Sequence, residues 1–344
     1  MAIVISKCLL DWGFDKVFTG TVDNASSNDV TVKELSKRLS NWGTNMMDGN
    51  HLHVRCMAHI INLIVQDGLK EIGNSIKRVR QAMKYIRQSP AGIKKFKDCC
   101  EMSNITCKKT LCLDVSTRWN STYLMLYTTQ IFQHAFERYK LVDHGLVNYL
   151  VTHVCEDGNC AGSLVSDDWN NVRNLVKFLE TFYELTLKVS GSLYVTSNVH
   201  FSEISEHSCM LKGLVASEDL ELQSMAVRIK EKFDKYWGEP EKMNKIIFIA
   251  CVLDPRNKTG FVEFALEEMF GKEKGGEIGK DVIKNMNTLY KEYIKKNANG
   301  SQLPSPSSDS SNTSSVSSIL TKGVLRLQYK KRLEENESSG VNLS

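Results

Sequence analysis

The chain has 344 residues, of which 42% are hydrophobic and 24% are charged, as in ordinary globular proteins. Basic side chains number 44 against 40 acidic ones, so the net charge of +4 is too small to indicate a nucleic-acid partner by itself. There is no apolar run of about 18 residues for a membrane span and no charged leader ahead of an apolar segment. We therefore expect an intracellular protein without a membrane partner, whose ten cysteines are reduced thiols.

The first informative segment, VFTGTVDNASSND over residues 17–29, leads from apolar residues into a carboxylate. Val17, Phe18 and Val22 are typical of a strand, and residues 24–28 have the composition of a turn. Asp23 is therefore predicted at the carboxyl end of a strand, where α/β proteins collect their ligands. An Asx turn that caps the following helix is the alternative.

The next residues predict a helix, a second strand and another helix. Thr31 and Glu34 have the spacing of a capping box before an apolar repeat that ends at Gly43. Residues 52–55 are a short strand candidate, and an apolar stripe follows them. The strand, helix, strand, helix order over residues 16–70 predicts an α/β core.

A cluster of imidazoles and a thiol, His51, His53, Cys56 and His59, surrounds the second strand. It suggests zinc only weakly, because structural zinc sites usually join two separated pairs of ligands. Cys56 and His59 are one helical turn apart and could face a site near Asp23. A packed cysteine beside a hydrogen-bonded histidine is the alternative.

Residues 77–98 carry eight basic side chains against one acid, Asp98. A break between two helices is predicted at Ser89-Pro90. We expect this surface to neutralise phosphates, which would make DNA binding depend on salt. The lysines chosen as contacts are Lys94, Lys95 and Lys97. A solvated helix face is the alternative.

Arg118 and Trp119 precede apolar residues at helical spacing, so Trp119 is predicted to begin a helix. Tryptophan in this position is more often a core residue, although an indole ring also suits stacking on an unpaired base. Asp114 resembles a strand-end acid, but we do not assign it to a metal site.

The second half of the chain is predicted to be mainly helical. Residues 140–165 read as a loop in which His153, Cys155 and Cys160 signal a metal site only weakly. The run 246–253 could be a buried strand or a helix. Apolar repeats predict helices over residues 167–191, 219–237, 261–270 and 282–294, with a glycine- and lysine-rich loop between the last two.

The C-terminal part is dominated by serine. Ten of the eighteen residues 301–318 are serine, so this segment is expected to be disordered. A short basic helix is predicted at about residues 319–335.

Four segments together resemble the hAT superfamily of DNA transposases, in particular its plant RICESLEEPER-like proteins. They are TVDNASSND, HVRCMAHIINLIVQDGL, LDVSTRWNSTYLML and IACVLDPRNK. The resemblance implies an α/β fold: a partial ribonuclease-H-like core interrupted by an all-α insertion, helix-rich overall. The predicted domains are a partial core over 1–115, a helical insertion and hAT-like region over 116–298, and a tail over 299–344.

The resemblance also assigns roles to particular residues. Asp23 would be the family's second metal-binding aspartate, with Cys56 and His59 close by and handling the DNA end. Trp119 would contact a flipped base, with Arg118 as a phosphate or ion-pair partner. A nuclear location is implied as well.

The function expected from these observations is that of a transposase-derived DNA-binding protein that has lost catalysis. Two-metal phosphodiester chemistry needs several carboxylates, and Asp23 is one of three expected acids; the first aspartate, the glutamate, the BED finger and the dimerisation region are expected to be missing. No cofactor is expected, with Mg²⁺ or Mn²⁺ needed only if activity remains. The partners would be DNA, bound weakly and without sequence preference, and fuller hAT-like proteins. A fragment of an active transposase and a protein-interaction scaffold are the alternatives.

Overall fold

The computed structural model describes residues 1–70, 73–297 and 323–338. These residues form two compact units, each built from separate stretches of chain. Unit 1 comprises Met1–Ile60, Val189–Leu214 and Phe233–Ser344, and unit 2 comprises Ile61–Lys188 and Val215–Lys232.

The described ranges contain many helices and two short strands. In chain order they are α1 (Ala2–Asp11), β1 (Gly20–Val22), α2 (Ser26–Asn41), β2 (His53–Arg55), α3 (Met57–Gly68), α4 (Gly73–Arg87), α5 (Pro90–Met102), α6 (Trp119–Ile131), α7 (Gln133–Val142), α8 (His144–Thr152), α9 (Ser166–Val189), α10 (Ser197–Val215), α11 (Leu220–Trp237), α12 (Ile246–Val252), α13 (Lys258–Phe270), α14 (Lys272–Asn297) and α15 (Val324–Ser338), with 3₁₀ turns at Met46–Gly49 and Pro240–Lys242. The predicted class, helix-rich α/β, is confirmed.

The sheet of unit 1 is a parallel pair in which Gly20 is in register with His53 and Val22 with Arg55. Helices α1 and α2 pack against each other, and their apolar residues form one cluster with the residue before β2, Leu52. Leu39 and Leu52 are 1% and 2% exposed, so they lie at the centre of this core. The burial of these side chains holds β1 and β2 under the two helices.

Helix α2 begins earlier than the capping-box spacing predicts. Its N-cap is Ala25, and the Thr31 hydroxyl donates to the carbonyl of Ser27 (2.9 Å) from inside the helix. The capping-box prediction is therefore wrong. The first turn is instead supported by Asp23, whose carboxylate accepts from the amide of Ala25 (2.9 Å), as an Asx turn does.

The predicted break in the basic stretch is confirmed. Ser89 is the N-cap of α5 and accepts from the amide of Gly92 (3.0 Å), and Pro90 is the first helical residue. Both features are typical of a helix start. Helix α4 buries the stripe Ile76, Val79, Met83 and Ile86.

Two predicted loops contain helices. Within residues 140–165 the chain forms α8, because the Asp143 carboxylate caps it by accepting from the amide of Gly145 (3.0 Å). The glycine- and lysine-rich segment is the beginning of α14. A Cβ at Gly275 would lie 2.6 Å from the amide nitrogen of Glu267 in α13, so glycine here permits close helix packing instead of marking a loop.

The remaining predictions concern the run 246–253, the C-terminal helix, the domain limits, the serine-rich segment and the lack of a membrane span. Within the run 246–253, residues Ile246–Val252 form the helix α12, and a helix, α15, lies in the region where a basic helix is predicted. The predicted domain limits, residues 115 and 298, differ from the residues at which the two compact units divide. The predicted domains stay predictions. The serine-rich segment lies outside the described residues. None of the described helices has both the length and the apolar character that crossing a bilayer requires.

Candidate nucleic-acid interface

The carboxyl ends of β1 and β2 lie side by side in unit 1. Val22 and Arg55 are the last residues of the two strands and are in register, and the amide of Cys56 donates to the carbonyl of Val22 (2.8 Å). The residues that follow the strands, Asp23 and Cys56, therefore leave the sheet at the same edge. This edge of a parallel sheet is where α/β proteins collect ligands.

Asp23 is exposed at this edge and is already hydrogen-bonded. Its Oδ1 accepts from the amide of Ala25 (2.9 Å) and from the side chain of Asn28 (2.6 Å). The Ala25 hydrogen bond is the main reason that the pKa of Asp23 is lowered, and His59 contributes a favourable charge interaction. The structure thus brings Asp23 and His59 close enough to interact.

Further polar side chains from β2 reach the same turn. Arg55 donates to the Oδ1 of Asn24 (3.0 Å) and lies 3.7 Å from Asp29. His53 Nδ1 is also 3.7 Å from Asp29, and burial, followed by the nearby Arg55, lowers the pKa of His53. Sequence reasoning missed Arg55, although its position directly before Cys56 could have indicated a cation at the strand end.

Within the described residues, Asp23 does not belong to a group of side chains that could hold a metal ion. One Asp23 oxygen is occupied by two donors, and no group of three or more histidine, cysteine or acidic side chains in the described residues could hold a metal ion. Two ions need several carboxylates that act together. The carboxylate of Asp23, as the structure shows it, supports the first turn of α2.

In unit 2, the basic stretch of residues 77–98 is largely neutralised. Its counter-ions come from acids that are distant in sequence. The pairs are Lys77 with Asp157 (2.6 Å), Arg78 with Asp168 (2.9 Å), Arg80 with Asp114 (2.6 Å) and Lys95 with Asp143 (2.8 Å), while Arg87 donates to the carbonyl of Leu111. The charge excess read from the sequence is therefore much smaller in the structure.

Three lysines of this stretch have no ion pair or hydrogen bond within the described ranges. Lys94 and Lys97 are exposed on α5, and Lys84 is half-buried on α4. Lys95 differs from its two neighbours because Asp143 holds its ammonium group and is the main reason that the pKa of Lys95 is raised. Lys94 and Lys97 are consequently the better candidates for contacts with phosphate.

Arg118 and Trp119 lie at the start of α6, also in unit 2. Arg118 is exposed and is the N-cap residue, whereas Trp119 is 2% exposed. A ring that is buried to this extent offers no face to a base in this conformation, in contrast to the stacking role expected for it. Asp114 is not at a strand end: it accepts from Arg80 and from the Thr122 hydroxyl (2.8 Å).

Comparison with protein families gives two matches. Residues 54–178 match the family described as the ZBED1 RNase-like helical domain, and residues 198–293 match the family described as hAT-like transposase, RNase-H fold. No solved structure matches the chain.

Curated proteins from plants align with most of this chain. The RICESLEEPER 2 and RICESLEEPER 1 zinc finger BED domain-containing proteins of Oryza sativa subsp. japonica are 36% and 34% identical to it over 84% of its length. The DAYSLEEPER protein of Arabidopsis thaliana is 26% identical over 90% of this chain and 41% of its own length. This chain spans 38% of each of the two RICESLEEPER proteins. These matches and the four sequence segments show that the chain belongs to the hAT superfamily of transposase-related proteins and is similar to its RICESLEEPER members.

Proposed function

We propose that this chain is a transposase-derived, nuclear DNA-binding protein that does not cleave DNA by itself. The observation that carries the proposal is the parallel pairing of β1 with β2, which places Asp23 and Cys56 at one sheet edge as in a nuclease-like core. Arg55 at this edge, and Lys94, Lys97 and Arg118 in unit 2, supply cationic side chains for phosphate contacts. Such contacts give affinity without sequence preference.

The absence of cleavage is proposed because Asp23 forms an Asx turn before α2, in which its Oδ1 accepts from the amide of Ala25 and the side-chain amide of Asn28. Purified protein is expected to show no strand cleavage or strand transfer with Mg²⁺ or Mn²⁺. The test compares the wild type with Asp23→Ala and with Asp15→Ala, an exposed acid outside the sheet edge. Cleavage that disappears only in Asp23→Ala would establish an active transposase fragment instead.

DNA binding is tested by titrating labelled duplex DNA at increasing salt. Replacing Lys94 and Lys97 together with alanine is expected to flatten the salt dependence by up to roughly 0.9 in log–log slope for each lysine that neutralises a phosphate in the wild type. The matched control replaces Lys272 and Lys280, two exposed lysines of unit 1, and should leave the slope unchanged. Equal slopes for the wild type and both double variants would show that α5 does not contact DNA.

Association with another protein is a second candidate function, and α1 is the observation that favours it. This helix and the residues after it expose large apolar side chains, among them Ile3 (64%), Val4 (65%) and Trp12 (70%). Exposed apolar residues that lie close together mark interaction sites. Sedimentation of the wild type and of Val4→Asp measures self-association. If both proteins are monomers at all concentrations, self-association through α1 is excluded.

A further inference from the structure

A cleft of about 770 Å³ lies within unit 1 along the outer edge of β2. Its other walls come from residues 235–247, from His200 on α10 and from one face of α14. The cleft shares His53 and Arg55 with the site at the carboxyl ends of the strands, whereas Asp23 and Cys56 do not line it. We call it the β2 cleft.

The amide of Asn244 holds the imidazole of His51 in one orientation. Its nitrogen donates to the carbonyls of His51 and His53 (2.9 Å each), so its oxygen must face the other way. That oxygen accepts from the amide of Ile246 (3.1 Å) and meets His51 Nδ1 at 3.0 Å. An amide oxygen only accepts, so Nδ1 carries a proton, and the tautomer that fits this contact has its lone pair on Nε2.

This lone pair has no partner among the residues that the structure describes. His51 is 3% exposed, its Nε2 makes no hydrogen bond, and the residue lines the β2 cleft. A buried polar atom in this state is unusual, since such atoms nearly always find a partner. A hydrogen-bond donor on a ligand in the cleft would satisfy it.

Two further imidazoles line the β2 cleft, and burial keeps them neutral. Burial lowers the pKa of His200 to about 4, and burial is also the main reason that the pKa of His53 is lowered. The Nε2 of His53, like that of His51, has no partner within the described ranges. At neutral pH the imidazoles therefore add hydrogen-bonding capacity to the cleft without adding charge.

The charge of the cleft comes from its rim. Four basic side chains, Arg55, Lys235, Lys242 and Lys245, stand against Glu241 and Asp281. Glu241 pairs with Lys274 (3.0 Å), Asp281 with Lys245 (3.6 Å) and Glu239 with Lys242 (2.7 Å), and Arg55 lies 3.7 Å from Asp29. Lys235 is exposed and makes no ion pair within the described part of the chain. Lys235 is therefore the position of the rim that favours an anionic group.

We propose that the β2 cleft binds one unpaired nucleotide of DNA, with a base N–H donating to His51 Nε2 and the phosphate next to Lys235. This inference rests on the proposed DNA binding and adds a substrate preference to it. A nucleotide combines the donor that His51 lacks with the negative charge that Lys235 attracts. A base within a duplex cannot enter, because it is stacked and its pairing N–H groups are already used.

The test measures binding of the full chain to a short single-stranded oligonucleotide and to the duplex of the same sequence. His51→Asn keeps a side-chain N–H near the position of Nδ1 and removes Nε2. It is expected to weaken single-strand binding roughly tenfold and to leave duplex binding nearly unchanged. Lys235→Gln should weaken single-strand binding too, whereas Lys37→Gln, an exposed lysine of α2 outside the cleft, should not.

A second readout uses the wild type alone, so it does not depend on the folding of a variant. The ¹⁵N resonance of the unprotonated His51 nitrogen should move when the oligonucleotide is added and stay in place when inorganic phosphate is added. If DNA binds but this resonance does not move and the variants bind as the wild type does, the cleft proposal fails by itself. If neither form of DNA binds, the proposed function fails with it. A shift with phosphate alone would establish a simple anion site instead.

Discussion

The Asp114 carboxylate is enclosed by its partners: its side chain is 1% exposed, and both oxygens accept from Arg80 (2.7 and 2.6 Å). Burial alone would raise the pKa of Asp114, but the bonds from Arg80 and Thr122 outweigh it and the pKa is lowered. A sequence window shows Arg80 only as one of eight nearby cations. In the structure it belongs to the interior of unit 2.

Replacing Asp114 with alanine is expected to reduce the free energy of unfolding by about 3–5 kcal/mol, because the guanidinium of Arg80 is left without its buried partner. Asp157→Ala is the control: this acid also pairs with a cation of α4 but is 54% exposed, so the expected loss of stability is much smaller. Urea unfolding measures both. Equal losses for the two variants would show that Asp114 is not the stronger partner.

Trp119 presents a similar contrast between a motif and its surroundings. Because the ring is 2% exposed, Trp119→Ala is expected to cost about 3–5 kcal/mol of stability and to weaken single-stranded and duplex DNA binding equally. Trp12→Ala, at a residue that is 70% exposed, should leave the melting temperature nearly unchanged. A stable Trp119→Ala protein that loses only single-strand binding would restore the stacking role.

At the scale of elements, α15 shows how a helix is anchored by side chains from elsewhere. Glu206 on α10 accepts from the amides of Leu325 and Arg326 (3.2 Å each) in the first turn of α15. The ring of Tyr329 packs against Phe261 (5.7 Å) and Phe264 (5.3 Å) of α13. Burial is the main reason that the pKa of Glu206 is raised.

This raised pKa gives the stability of the folded chain a pH dependence with a defined sign. A carboxyl group whose pKa is higher in the folded state stabilises that state most below its unfolded-state pKa and loses this contribution as pH rises through the folded-state value. Chemical denaturation at a series of pH values should therefore show that Glu206 contributes more to the free energy of unfolding as pH falls from 7 towards about 4.5. Glu206→Gln should remove this contribution, and Glu273→Gln, an exposed acid, should keep it. The opposite pH dependence of the difference between the wild type and Glu206→Gln would contradict the sign.

Elements with local signals could be predicted from the sequence, and those fixed by distant partners could not. The break at Ser89-Pro90 and the two strands carry their determinants within a few residues. The start of α14 does not, because Gly275 is explained by its close approach to α13. The same distinction applies to the residues of the candidate site. The strand order predicted the position of Asp23, whereas nothing near Lys95 in sequence indicates that Asp143 holds its ammonium group.

At the scale of the whole molecule, unit 1 is completed by contacts between distant parts of the chain. Asn244 donates to the carbonyls of His51 and His53, which are 193 and 191 residues away. These carbonyls lie on the outer edge of β2, where polar groups need a partner from elsewhere. One amide side chain thus ties the N-terminal sheet to the second half of unit 1.

Asn244→Ala is expected to lower the stability of unit 1 by about 2–3 kcal/mol, since it leaves two carbonyls and His51 without their partner. Asn285→Ala is the control, because that amide donates only within its own helix, to Asp281 (2.8 Å), and should cost less than about 1 kcal/mol. Chemical denaturation measures the loss of stability in each of the two variants. Hydrogen exchange at residues 51–55 measures the local effect at β2. Equal effects would mean that Asn244 is not the link.

The long reach of Asn244 also has a consequence for biosynthesis. A ribosome adds roughly 5–20 residues per second, so about 10–40 s pass between the synthesis of His51 and that of Asn244, which are 193 residues apart. By the end of that interval the nascent chain contains β1, β2 and every residue of unit 2, while the outer edge of β2 still lacks its amide. This edge is therefore open to chaperones, or to mispairing with another nascent strand, until translation has passed residue 244.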